Sequence, residues 1–126
     1  MPEAAPLQGE LQIQIMAALW RIGSGTVEDV RMAMPARYRS AYNTVQTVLN
    51  RLTTRGLLER EREGRGFVYR PKVTEAEYLS GSIRRTLAGA SSGARQAALA
   101  SIIGGLRPDE LSALEDLARQ ARGKRK

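Results

Sequence analysis

The sequence predicts a mainly α fold with one small β-hairpin, and three observations carry that expectation. Hydrophobic residues make up 42% of the chain but aromatic ones only 5%. The core must therefore rest on Leu, Val, Ile, Met and Ala, which suits helices better than a β-sandwich. Apolar residues recur at helical spacing in six segments, and one stretch, "LLEREREGRGFVYRP", alternates in character and turns on glycines. A length of 126 residues fits one domain, or a small domain with an appendage.

In chain order, residues 1–8 hold two prolines and little pattern, and read as a flexible arm. From Gly9, "ELQIQIMAALWRIG" places Leu11, Ile15, Ala18, Leu19 and Ile22 on one helical face and stops at Gly23 and Gly25. "TVEDVRMAM" opens with Thr26 three residues before Asp29, close to a capping box with Asp in the place of Glu or Gln. Pro35 ends it. A third helix covers about Ala41 to Arg55, with Gly56 as its stop. The hairpin follows. Arg60 and Arg62 alternate with Glu59, Glu61 and Glu63, Gly64-Arg65-Gly66 turns the chain, and Phe67, Val68 and Tyr69 favour a strand that Pro71 ends. "TEAE", Thr74 to Glu77, is a capping box that starts a fourth helix. "RQAALASIIGGL" and "RPDELSALEDLARQAR" are the last two, the final one with Pro108, Asp109 and Glu110 in its first turn.

This pattern predicts an N-terminal domain over residues 9–73 and three short helices over 74–122 with no independent core, ahead of a basic, disordered tail at 123–126. Such helices bury their apolar faces against something else, and a second copy of the chain is the simplest partner. The expected dimerisation residues are Tyr78, Leu79, Ile83, Leu87, Leu99, Ile102, Ile103, Leu106, Leu111, Leu114 and Leu117.

The absences exclude whole classes of chemistry. The chain has neither Cys nor His. It can build no disulfide framework, thiolate metal site, Ser-His triad or Cys-His pair, and no metal or other cofactor is expected. No apolar run approaches the ~20 residues of a membrane span, and "MPEAAPLQGE" lacks the basic start and apolar body of a signal peptide, so a cytoplasmic location is expected. The net charge of +7 attracts polyanions such as nucleic acid.

The third helix carries the functional signal. At 100° per residue, Val45, Val48, Leu49 and Leu52 form one apolar stripe. Asn43, Gln46, Thr47, Asn50 and Thr54 lie opposite, flanked by Thr44 and Arg51, and the helix has no acidic residue. Asn and Gln can pair with adenine edges, Arg with guanine, and Thr can meet a thymine methyl. Thr and Asn are also common on ordinary solvated helices, so context decides. A short helix, a tight connection and a second helix with polar residues near its start is a helix-turn-helix arrangement, and the following hairpin makes it a winged one. Arg65 sits at the hairpin tip between two glycines, where the backbone can approach a groove closely. Residues 36–70 hold eight arginines against three glutamates, net +5, whereas residues 1–35 are net −2. Arg60 and Arg62 have neighbouring Glu as alternative partners and weigh least.

"ELQIQIMAALW", "TVEDVRMAM", "AYNTVQTVLNRLTTRGLLERE" and "EGRGFVYRPKVTEAEYL" resemble, in that order, the N-terminal domain of the penicillinase repressor family of BlaI/MecI/CopY type. The resemblance covers about residues 10–80 and continues more loosely into "LRPDELSALEDLARQ". It implies a bacterial transcriptional repressor with a winged-helix DNA-binding domain and a helical dimerisation region, binding as a homodimer to inverted repeats of TACA/TGTA type. It also implies a recognition helix from Tyr42 to Arg55 with Asn43, Thr44, Gln46 and Thr47 at its base-facing start and Arg65 at the wing; the expected DNA-binding set is then Tyr42, Asn43, Thr44, Gln46, Thr47, Asn50 and Arg51 on this helix, with Arg39 and Arg65 for wing and phosphate. Some members are inactivated by a regulatory protease that cuts the dimerisation region near an Asn. The matching stretch here, "QAALASIIGGL", has none, which argues against that partner. The cysteines of the copper-responsive branch are also absent. The competing class is a winged-helix module that meets an acidic protein through the same face.

Overall fold

The computed structural model describes residues 7–123. Six α-helices and one antiparallel hairpin follow the order α1 (Glu10–Ile22), α2 (Val27–Ala33), α3 (Tyr42–Thr54), β1 (Leu58–Glu63), β2 (Gly66–Pro71), α4 (Glu75–Ala88), α5 (Ser92–Gly104) and α6 (Pro108–Gly123). One turn of 3-10 helix, Ala36–Tyr38, lies between α2 and α3. The mainly α expectation and the hairpin are both met.

Local chemistry sets the boundaries. The α2 capping box closes although Asp replaces the longer acid: Asp29 N donates to Thr26 Oγ1 at 3.1 Å and Thr26 N to Asp29 Oδ2 at 3.0 Å. At the end of α3, Gly56 adopts φ 85°. Leu57 N then bonds the Leu52 carbonyl and Gly56 N the Thr53 carbonyl, a Schellman ending that releases the chain directly into β1. The α4 box closes the same way, with Thr74 and Glu77 exchanging two bonds of 3.0 Å.

The chain divides into two compact units, Met1–Arg85 and Thr86–Lys126. The first has a single core. Ile15, Met16, Ala18 and Leu19 of α1 meet Val27 and Val30 of α2, Val45, Leu49 and Leu52 of α3, and Leu57, Leu58 and Tyr69 of the hairpin. Side chains from three helices and one sheet face thus close on each other, and each element supplies a single stripe, as their periodicities require. The loop between α1 and α2 joins the sheet: Gly25 and Tyr69 exchange backbone hydrogen bonds of 3.0 and 2.8 Å. Gly25 is buried, and a Cβ there would lie 2.8 Å from Asp29 Cβ.

The first unit extends further than the boundary expected at residue 73. Tyr78, assigned by sequence to the dimerisation surface, packs within this unit. Its ring lies 5.7 Å from that of Trp20, its hydroxyl accepts from Leu7 N at 2.8 Å, and Trp20 Nε1 donates to the Val73 carbonyl at 3.0 Å. The first turns of α4 are thereby fastened to α1. Leu79 and Ile83 stay half-exposed on α4. Leu7 and Gln8, expected in a loose arm, are held by Tyr78 and by Gln12 Oε1. The rest of that arm, residues 1–6, and the tail residues 124–126 lie outside the described residues.

In the second unit, α5 starts at an N-cap, Ser91, whose hydroxyl accepts from Ala94 N. Neither α5 nor α6 contains a buried residue. Leu99, Leu106 and Leu111 are partly covered, while Ile102, Ile103, Leu114 and Leu117 are all about half exposed or more. Among the described residues no helix is long and apolar enough to cross a membrane.

Candidate nucleic-acid interface

The turn before α3 is stitched by two arginines. Arg39 donates to the carbonyls of Arg31 (2.8 Å), Met34 (3.0 Å) and Met32 (3.4 Å), covering the open end of α2. Arg31 donates to the Ser40 carbonyl at 3.0 Å and holds both carboxylate oxygens of Glu28. This fixes where α3 begins. Arg39, assigned by sequence to a phosphate, is thus already engaged with the backbone of α2. Its shape explains why: a planar fork of donors matches the cluster of carbonyls at a helix end.

Val45, Val48, Leu49 and Leu52 are buried, as the helical stripe requires, and the opposite side of α3 faces outward. Tyr42, Asn43, Thr44, Thr47 and Arg51 are exposed and Gln46 is half-buried. Ala41 provides no side-chain cap, so the N–H groups of the first turn remain open beside these side chains. A helix start with open N–H groups and no carboxylate attracts phosphate. Thr47 spends its hydroxyl hydrogen on the Asn43 carbonyl at 2.9 Å, which leaves an acceptor oxygen and a methyl. Asn50 lies on the same stripe, but its Oδ1 is occupied by Tyr69 and Arg60.

The hairpin register makes the wing two-sided. Leu58 pairs with Pro71, Arg60 with Tyr69 and Arg62 with Phe67, while Glu59 pairs with Arg70, Glu61 with Val68 and Glu63 with Gly66. Successive strand residues point to opposite faces. The two arginines therefore share a face with the aromatic rings, and the three glutamates occupy the other. Arg60 lies over the Phe67 ring at 4.2 Å and Arg62 at 5.8 Å from its centroid. Neither arginine uses the adjacent glutamates, the alternative weighed from sequence; Glu61 reaches Arg70 instead, at 3.6 Å. Sequence reasoning undervalued Arg60 and Arg62 because it counted neighbours along the chain, whereas period-two alternation separates them. Arg65 is exposed at the tip, beside Gly64 with φ 63°.

α3 and the hairpin therefore join a carboxylate-free polar stripe to an arginine-lined wing face, through Asn50. Such a surface suits a polyanion with readable edges, a duplex whose groove takes the helix and whose phosphates meet the arginines.

Comparison with known proteins agrees. A family model described as "Penicillinase repressor" matches residues 8–120. The chain is 39% identical over 108 residues to the "Transcriptional regulator BlaI" of Mycobacterium tuberculosis, covering 84% of this chain and 78% of that protein. It is 30% identical over 74 residues to the "Penicillinase repressor" of Bacillus licheniformis, covering 59% and 58%. Among solved structures it is similar to the DNA-binding domain of the repressor BlaI, with a TM-score of 0.51 and 28% identity, covering 61% of this chain and 94% of that one.

Proposed function

The chain belongs to the penicillinase repressor family and is a DNA-binding transcriptional repressor rather than an enzyme, and from that premise we propose that it acts as a homodimer on an inverted-repeat operator with TACA/TGTA-type half-sites. The observation that carries the reading is the outward, acid-free stripe of Tyr42, Asn43, Thr44, Gln46 and Thr47, presented next to the arginine face of the wing. The stripe reads base edges, while Arg65, Arg60 and Arg62 hold the backbone. Repression follows if a dimer bound at a promoter occupies the site polymerase needs.

The dimer rests on α5 and α6. Ile102, Ile103, Leu114 and Leu117 stay exposed in their own unit, and a second copy offers the same apolar surface in return. A dimer with a two-fold axis would place two copies of α3 on related half-sites, which is why the operator should be an inverted repeat. A mobility-shift assay tests this directly. The full chain should shift a duplex carrying an inverted TACA/TGTA repeat at concentrations that leave a scrambled duplex free. Equal affinity for both would refute the proposal, and would favour a protein partner for the same face.

A further inference from the structure

Asn50 lies on the outward stripe of α3, two helical turns beyond Asn43, and its amide is tied to the hairpin. Its Oδ1 accepts from the Tyr69 hydroxyl at 2.6 Å and from Arg60 Nη1 at 2.7 Å. A guanidinium carries only donors, so the amide atom facing it must be the oxygen, and the orientation of the amide follows. A carbonyl oxygen has two lone pairs, and here each has a donor. Only the two hydrogens of Nδ2 remain to offer. Pairing of an Asn side chain with adenine needs an acceptor and a donor together. Asn50 lacks the acceptor.

We infer that Asn50 is a positioning residue for DNA binding: it fixes the wing against the recognition helix and does not read an adenine. The arrangement gives it leverage. Tyr69 is on β2 and Arg60 is its direct partner on β1, so one oxygen atom of α3 ties both strands of the hairpin. A two-stranded hairpin is marginal on its own, and its placement depends on what it is fastened to. With this tie gone, α3 is still held by Val45, Leu49 and Leu52 and the base of the hairpin by Leu58, Tyr69 and the bridge to Gly25, whereas the outer half of the wing, with Arg65 at its tip, must be ordered at the moment of binding. The inference rests on the reading of Arg65 as a contact to the DNA backbone.

The test uses the full chain and duplexes that it selects from a random-sequence pool. Affinity is read by fluorescence anisotropy for the parent, Asn50→Ala and Tyr69→Phe, each with and without Arg65→Ala, and the selection is repeated with Asn50→Ala. Tyr69→Phe keeps the buried ring and removes only the hydroxyl, so it decides the matter even if position 50 proves sensitive to folding. Both single variants should bind the selected duplex about tenfold more weakly. Asn50→Ala should recover the same consensus as the parent, and Arg65→Ala should cost much less in either variant than in the parent. Loss of preference at one A·T pair in Asn50→Ala alone overturns the inference. So does parent-like affinity of Tyr69→Phe, or an equal cost of Arg65→Ala in all backgrounds. If Arg65→Ala has no effect in the parent, the wing contact is the part that fails, and the recovered consensus still decides whether Asn50 reads a base.

Discussion

Arg55 Nη1 donates to Gln12 Oε1 across 2.9 Å, joining the last turn of α3 to the first turn of α1. The same oxygen accepts from Gln8 N at 2.8 Å. Gln12 is the only buried polar side chain among the described residues, and it sits where two helices and the backbone at Gln8 converge. Replacing it with Leu keeps the volume but removes the acceptor from a backbone N–H and a guanidinium. Gln12→Leu should lower the unfolding free energy by about 1–3 kcal/mol, measured by urea denaturation. A variant as stable as the parent would show that the polar join contributes nothing.

Side chains on the two parts of the interface should fail differently. Gln46→Ala removes an amide from the proposed base-reading stripe and should flatten the preference for the selected duplex over a scrambled one. Arg65→Ala should weaken both duplexes together and shallow the dependence of log affinity on log salt, by about one counterion per lost phosphate contact. Binding titrations at several salt concentrations separate the two outcomes, and identical behaviour of the variants would contradict the division of labour.

The placement of Tyr78 makes truncation informative. A fragment ending at Arg85 retains the contacts among Tyr78, Trp20 and Leu7, and should fold as a monomer with greatly weakened affinity for an inverted repeat. A fragment ending at Val73 loses the aromatic partner and should melt several degrees lower, since about 1 kcal/mol is worth roughly 4–8 °C in a domain of this size. Equal melting temperatures would place Tyr78 outside the first unit's stability.

Glu77 gives a pH signature at the start of α4. Hydrogen bonds from Thr74, first its backbone N–H and then its hydroxyl, hold the carboxyl below the usual carboxylate range. A carboxylate depressed by folding adds stability that is full above its unfolded pKa and is lost as pH falls through the folded one. The α4 cap should therefore loosen on the acid side of the ordinary carboxylate range. NMR titration of the Glu77 side chain and of the Thr74 amide should show both moving together at that lowered pH. Glu77→Gln should abolish the transition, and a normal Glu titration in the parent would count against the cap.

Much of this was legible in the sequence because the signals were local. The Thr26–Asp29 and Thr74–Glu77 boxes, the Gly56 stop and the Val45/Val48/Leu49/Leu52 stripe depend on neighbours within a turn or two. The partners of Asn50, Arg39 and Tyr78 did not follow from any such spacing. Asn50 looked like a base reader because its helical angle is right, yet the hydroxyl that occupies it comes from 19 residues further along. Arg39 counted toward the basic stretch 36–70, and its acceptors are backbone carbonyls of the α2 end. Tyr78 fitted the stripe of α4, and only the approach of Trp20 from α1 shows which partner it packs on. Arg60 and Arg62 went the other way, gaining weight once the strand alternation took the glutamates to the opposite face.

The backbone bridge between Gly25 and Tyr69 has a genetic consequence. One methyl group at position 25 would press on Asp29 Cβ, disturb the loop and, through it, the strand that carries the wing. A screen for lost repression would therefore recover alleles in this linker, well before the side chains proposed to meet the operator. They would score as DNA-binding mutants while carrying an unaltered reading surface, and a second-site change that relieves the crowding would restore them.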